Sequence, residues 1–165
     1  MRKAIMILGT ILIATVILIS GSVVAIWYHI IYLYDDYQCT NPTYALYSPD
    51  GDHATIGEND PEVLGKIILD LGSGNEMGSN QNFTVFADTN LNETYDVSVI
   101  SSDLTAMIMV GSGWDTEDCE FYTPSTPVVL WRYIQINATS GYIVFNEPVD
   151  VIYGPEVDAV GYWTP

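Results

Sequence analysis

The chain has 165 residues and a formal net charge of −17, with 21 Asp and Glu against four Lys and Arg. A surface that acidic repels phosphate backbones, which excludes nucleic acid as a partner. Hydrophobic residues make up 48% and aromatic residues 12%, too much of each for a disordered acidic tail.

The first feature in chain order is an apolar run over residues 4–34, with Arg2 and Lys3 before it and Asp35 and Asp36 after it. No Asp, Glu, Lys or Arg interrupts it. As a helix it would extend roughly 46 Å, beyond the ~20 residues that cross a hydrocarbon core. The run predicts one long hydrophobic helix, and basic residues ahead of it favour an outward-facing remainder. Two domains are therefore expected, an anchor or assembly helix over 1–34 and an acidic extracellular domain over 35–165. All 21 acidic residues fall in the second domain, where Lys66 and Arg132 are the only basic ones. Such an excess suits a salty habitat, in which screening relieves self-repulsion, or a head that binds divalent cations.

Residues 37–62, rich in Pro, Asn, Asp and Gly, read as a neck or an irregular first section. After them come short apolar stretches bounded by turn residues. Segments 66–71, 83–87, 95–100, 104–110, 128–136, 142–145 and 149–153 read as strands, several of them β-branched, aromatic or alternating. Gly72-Ser73-Gly74, Gly111-Ser112-Gly113 and Gly154-Pro155 read as turns between them. Seven or so strands with frequent turns predict a β-sandwich, immunoglobulin-like in class. The expected fold is thus mainly β, preceded by the long helix.

Three sequons, at Asn82, Asn92 and Asn137, favour an exported glycoprotein, the alternative being polar turn residues. Two cysteines in an oxidising space are expected to pair, Cys39 with Cys119. Catalytic chemistry is poorly represented: His29 lies in the apolar run and His53 in an Asp-Gly-Asp-His turn. No glycine-rich phosphate loop, nucleophile elbow or His-Glu-x-x-His stretch occurs, so no enzyme is expected. One segment, Asp88 to Asp96, carries side-chain oxygens at alternate positions, as the first half of a calcium loop does. It marks Asp88, Asn90 and Asp96 as candidate Ca²⁺ ligands, the alternative being an Asn/Asp-rich turn. No other cofactor is expected.

The apolar run allows three readings. It is a secretory signal cut after the small-residue stretch Ser20 to Ala25, an uncleaved anchor, or a filament core. Under the first, the mature chain begins at Ile26 with a β-prone aromatic segment able to complete a neighbour's sheet. Under the third, the basic-basic-small opening Arg2-Lys3-Ala4, followed by Ile5 and the run, resembles archaeal type IV pilins and archaellins. That resemblance covers the first 34 residues only. It implies processing at Lys3, Ala4 and Ile5, a membrane stage before assembly, and copies of the chain as partners in a helical polymer. The function expected is a structural subunit of an extracellular pilus-like filament, with glycosylated heads outside. The alternative is a membrane-anchored surface or virion glycoprotein that binds a partner or cation through its head.

Overall fold

A computed structural model describes residues 26–30, 32–47, 49–57, 65–87, 93–126, 129–140, 142–144 and 151–164. These form thirteen strands and one short 3-10 turn. In chain order the strands are β1 (Ile26–His29), β2 (Tyr32–Tyr37), β3 (Cys39–Thr40), β4 (Ala54–Ile56), β5 (Lys66–Asp70), β6 (Asn82–Ala87) and β7 (Thr94–Ser101). They continue with β8 (Met107–Trp114), β9 (Cys119–Tyr122), β10 (Trp131–Ala138), β11 (Tyr142–Val144), β12 (Val151–Tyr153) and β13 (Glu156–Thr164). The 3-10 turn, Pro42–Ala45, lies between β3 and β4.

Two antiparallel sheets face each other. The first runs β3-β4-β13-β6-β9, with β1 also paired to β13, and the second runs β2-β5-β10-β7-β8. The hairpin β11–β12 forms a separate two-stranded ribbon. Strands in the second sheet alternate in the manner their residues dictate. Ile67 and Leu69 of β5, Tyr95, Val97 and Val99 of β7, and Ile134 and Ile136 of β10 point inward and are fully buried. Phe83 and Val85 of β6 and Val157 and Val160 of β13 meet them from the other sheet. Trp131 closes one end of the core, where its backbone exchanges hydrogen bonds with Met77 at 2.8 Å each way.

The described structure corrects the expected long helix. Residues 26–29 and 32–37 of the apolar run are strands, paired with β13 and β5. Ile30, 1% exposed, lies in the core as the chain passes from one sheet to the other. A continuous apolar run does not by itself distinguish a buried strand from a buried helix. Here Ile26-Trp27-Tyr28 and Tyr32-Leu33-Tyr34 carry the β-branched and aromatic residues that suit strands, and sheet neighbours are there to receive them. A pilin-type core helix continuous to Tyr34 is therefore not what this chain forms. Residues 1–25, with the processing candidates Lys3, Ala4 and Ile5 among them, lie outside the described residues. Among those described, no helix is long and apolar enough to cross a membrane.

Three further corrections follow from topology. Successive strands mostly pass from one sheet to the other, only β3–β4 and β7–β8 joining neighbours within a sheet of the sandwich, whereas about half of the connections in a Greek-key immunoglobulin domain stay within one sheet. The expected neck supplies β3, β4 and the 3-10 turn, and buries Ala45, Leu46, Ala54 and Ile56. Cys39 and Cys119 are thiols, not a disulfide. They sit in β3 and β9, at opposite ends of the first sheet, and four inter-strand steps put them roughly 19 Å apart. That is far outside the reach of an S–S bond.

Gly111 and Gly113, expected in a turn, lie within β8 and face the core. A methyl group at Gly113 would stand 2.5 Å from the Tyr95 ring, and one at Gly111 would stand 3.0 Å from Phe121. The glycines leave room for those two rings.

Candidate ligand-binding face

The outer face of the second sheet gathers side chains from all five of its strands. Register places Tyr32 beside Asp70, Asp35 beside Ile68 and Tyr37 beside Lys66. The next rows add Tyr133, Gln135 and Asn137 of β10, then Ile100, Ser98 and Asp96 of β7. Along β2, Tyr32, Tyr34 and Tyr37 are 52%, 49% and 51% exposed, three large rings half in water on one edge strand.

The rings rest on a built support. Tyr34 lies on Tyr133, with centroids 4.6 Å apart and planes tilted by 53°. The guanidinium of Arg132 sits 5.3 Å from the centre of the Tyr133 ring, in cation–π range. Its Nε and Nη2 donate to the two oxygens of Asp70 at 2.8 and 2.9 Å, a bidentate pair. Those hydrogen bonds to Asp70 raise the Arg132 pKa further above its already high value. The same Asp70 accepts the Gly72 N–H at 2.8 Å. Gly72, with φ +86, brings bare backbone under the Tyr32 ring, where a Cβ would approach that ring to 3.1 Å. Local chemistry explains the arrangement: the Asp-Leu-Gly turn after β5 needs a left-handed residue, and glycine supplies it.

Polar groups flank the rings. Lys66 Nζ lies 3.2 Å from Asp35. Gln135 donates to the Asn137 side chain at 3.0 Å, and Ser112 donates to Asp96 at 2.6 Å. Lys66 and Arg132, the only basic side chains after residue 34, both belong to this face. Here the acid excess is locally offset.

Two of the three Ca²⁺ candidates, Asp88 and Asn90, lie outside the described residues. Asp96 faces outward on β7 and is engaged by Ser112. Carboxylates from the β8–β9 connection instead tie down both ends of segment 88–92. Asp118 accepts the Ala87 N–H at 3.2 Å, and the buried Asp115 accepts the Glu93 N–H at 2.8 Å. Desolvation pushes the phenol of neighbouring Tyr95 far above its usual range, with Cys119, Asp115 and Asp118 adding to the shift. Among the described residues, no group of three His, Cys, Asp or Glu is placed to hold a metal ion. His53, 3.0 Å from Glu156, belongs to the first sheet's side of the molecule. Of the sequons, Asn82 and Asn137 are partly exposed and Asn92 lies outside the described residues. Asn137 sits in the Lys66–Tyr37 row, at the far end of the face from Tyr32.

The tyrosine platform was not legible as a site in the sequence. Tyr32 and Tyr34 stand inside the apolar run, where the residue order does not set them apart from it. The available signal was Lys66 and Arg132, the two Lys and Arg residues after residue 34, whose pairing with carboxylates is visible only once register is known.

No protein-family model matches the sequence, and no curated protein matches it. Among solved structures, the chain is similar to a family 29 carbohydrate-binding module from Piromyces equi, at 14% identity and a TM-score of 0.48. The match covers 86% of this chain and 91% of that one. It is also similar to the C-terminal domain of a chitobiase from Bacteroides fragilis, at 15% identity and a TM-score of 0.40, over 81% and 93% of the two chains. Identity this low leaves the ligand to be judged from the side chains on the face.

Proposed function

We propose that the protein is an exported, non-catalytic binding domain that holds a neutral carbohydrate on the tyrosine face of its second sheet. The observation that carries this reading is the row Tyr32, Tyr34 and Tyr37, half-exposed on one strand, with Tyr34 resting on Tyr133 and its Arg132 neighbour and Tyr32 lying over Gly72. Sugar rings present C–H faces that pack on aromatic rings, and hydroxyls that both donate and accept. Gln135, Asn137, Asp35 and Lys66 supply both kinds of partner beside the rings. The face is preorganised, so little side-chain entropy is lost on binding. A neutral ligand fits better than an anionic one, because 21 carboxylates repel negative charge.

Export is supported by the sequence. Arg2-Lys3, the apolar run and the small-residue stretch Ser20 to Ala25 have the order of a secretory signal or signal-anchor. The segment expected to complete a neighbour's sheet pairs within its own chain, against β13.

The test is affinity electrophoresis of the full chain through gels that contain neutral soluble polysaccharides, one at a time. At least one should retard the wild type, and Tyr34→Ala and Tyr32→Ala should each lower its affinity about tenfold or more without loss of fold. Equal retardation of wild type and both variants would remove the site from this face. Absence of retardation by every neutral polysaccharide would remove the carbohydrate.

A further inference from the structure

We propose that β8 is an assembly edge, where a second copy of this chain pairs strand to strand and antiparallel, about a two-fold axis at Ile108. The proposal is independent of the carbohydrate reading.

Edge strands invite pairing with other chains unless they are short, charged or covered. In the first sheet the edge strands β1, β3 and β9 are four residues or shorter. In the second sheet β2 carries Asp35 and Asp36 and a break in register. Strand β8 has none of these protections over its first half. It is eight residues long and, among the described residues, pairs only with β7. Met107, Ile108 and Met109 are successive residues pointing to alternate faces, yet they are 60%, 39% and 55% exposed.

Charge identifies the occupant. From Leu104 to Trp114 there is no charged residue, in a chain with 21 acidic ones. Two copies of so acidic a domain repel each other wherever carboxylates meet. An uncharged strand facing its own copy avoids that repulsion, and an acidic or basic partner strand would find nothing here to pair with.

Backbone phase fixes the register. Ser101 N–H donates to the Ala106 carbonyl at 2.9 Å. Hydrogen-bonded and non-bonded pairs alternate along an antiparallel ladder, so Ile108 directs its backbone groups at Val99. Met107 and Met109 therefore direct theirs at the free edge. A two-fold axis at Ile108 sets Met107 of one copy opposite Met109 of the other, and each such pair can exchange both N–H···O=C bonds. The two Ile108 residues then form a non-bonded pair, with Cα atoms about 4.5 Å apart. Val110, the extra residue where the β7–β8 register shifts, ends the regular ladder. The contact joins two five-stranded sheets into one.

Sedimentation of the full chain in mild detergent, at several protein concentrations, tests this. A dimer is expected that tightens as NaCl rises, because salt screens the repulsion between copies. M107E/M109E sets carboxylates opposite each other and should weaken dimerisation at least about tenfold. M107K/M109E sets opposite charges across both pairs and should restore it. Ile108→Cys should form a disulfide-linked dimer on mild oxidation, at a yield about tenfold above both the wild type and Leu104→Cys. Far-UV circular dichroism confirms that each variant keeps its strands. A chain that stays monomeric, a dimer indifferent to M107E/M109E, or an Ile108→Cys yield no higher than that of Leu104→Cys would overturn the proposal. Association that survives every edge variant would place the contact elsewhere, residues 4–25 included, and would overturn it too.

Discussion

The two edges of the second sheet, β2 and β8, solve the same problem in opposite ways. Strand β2 carries two carboxylates, a break in register and three half-exposed tyrosines, of which Tyr34 rests on Tyr133 of β10. Strand β8 carries no charge, and its first half exposes two methionines and an isoleucine. An edge with fixed rings and nearby polar groups suits a small polar ligand. An edge with bare backbone and adaptable apolar side chains suits another strand. Sheet position alone does not set what an edge does; side-chain chemistry along it does.

The largest effect expected on this comparison comes from Arg132→Ala. It leaves Asp70, which is only 14% exposed, without its cation, and takes away the support of Tyr133. Loss of one partner of a fully buried pair costs ~3–5 kcal/mol. Arg132 retains 27% exposure, so the loss should be smaller than that but still a clear fall of the urea midpoint. Carbohydrate affinity should fall with it while dimerisation through β8 stays as it was. An equal loss at both edges would mean that they are not separate.

Next comes Gly113→Ala, which drives a methyl group against the Tyr95 ring under β8. Overpacking of this kind costs ~1–3 kcal/mol. Gly111→Ala should cost less, since its Cβ would stand 3.0 Å from Phe121 rather than 2.5 Å from Tyr95. The reverse order would contradict the inward direction of both glycines.

A smaller effect is the salt dependence of stability. With 21 acidic residues and two basic ones after residue 34, folding brings like charges together. The thermal midpoint should rise by a few degrees as NaCl increases from about 0.05 to 2 M, which shortens the Debye length severalfold. A steady fall would mean that the pairs Lys66–Asp35 and Arg132–Asp70 outweigh the repulsion.

The smallest effect belongs to Asp103, in the turn that joins β7 to β8. It accepts from the Ser101 and Thr105 hydroxyls at 2.6 and 2.8 Å and from the Thr105 N–H at 3.1 Å. Those bonds, the Ser101 one foremost, lower its pKa from 3.8 to about 2. A carboxylate with a lowered folded pKa contributes stability that is complete above its unfolded value and lost as pH falls through its folded one. The Asp103→Asn variant should therefore show a shallower loss of stability between about pH 4 and 2 than the wild type. Identical acid profiles would show that this turn does not help to hold β8.

Much of the sandwich was legible because strand signals are local. The segments at 66–71, 83–87 and 95–100 coincide with β5, β6 and β7, where alternation and β-branching both speak. Strand β13 was missed, since Asp158 and Gly161 break its pattern. Register explains the first: Asp158 accepts the backbone N–H groups of Asp50 and Gly51, at 3.1 and 3.3 Å, and so ties a distant loop to the strand. Of the Ca²⁺ candidates Asp88, Asn90 and Asp96, only Asp96 is among the described residues. The fold gives Asp96 to Ser112 and brings Asp115 and Asp118, far off in sequence, to the ends of that segment.

What the sequence by itself determined was a mainly β domain with a heavy acid excess, only Lys66 and Arg132 as Lys or Arg after residue 34, and a basic-apolar opening, because composition and period-two patterning are properties of the chain alone. Tertiary structure decided where the apolar run becomes strand, that Cys39 and Cys119 stand at opposite ends of a sheet, and that three tyrosines share a face with both cations. It also decided that Met107 to Met109 lie on an open edge. Each of these depends on which strand lies beside which, and pairing between distant segments is set by the packing of the whole core.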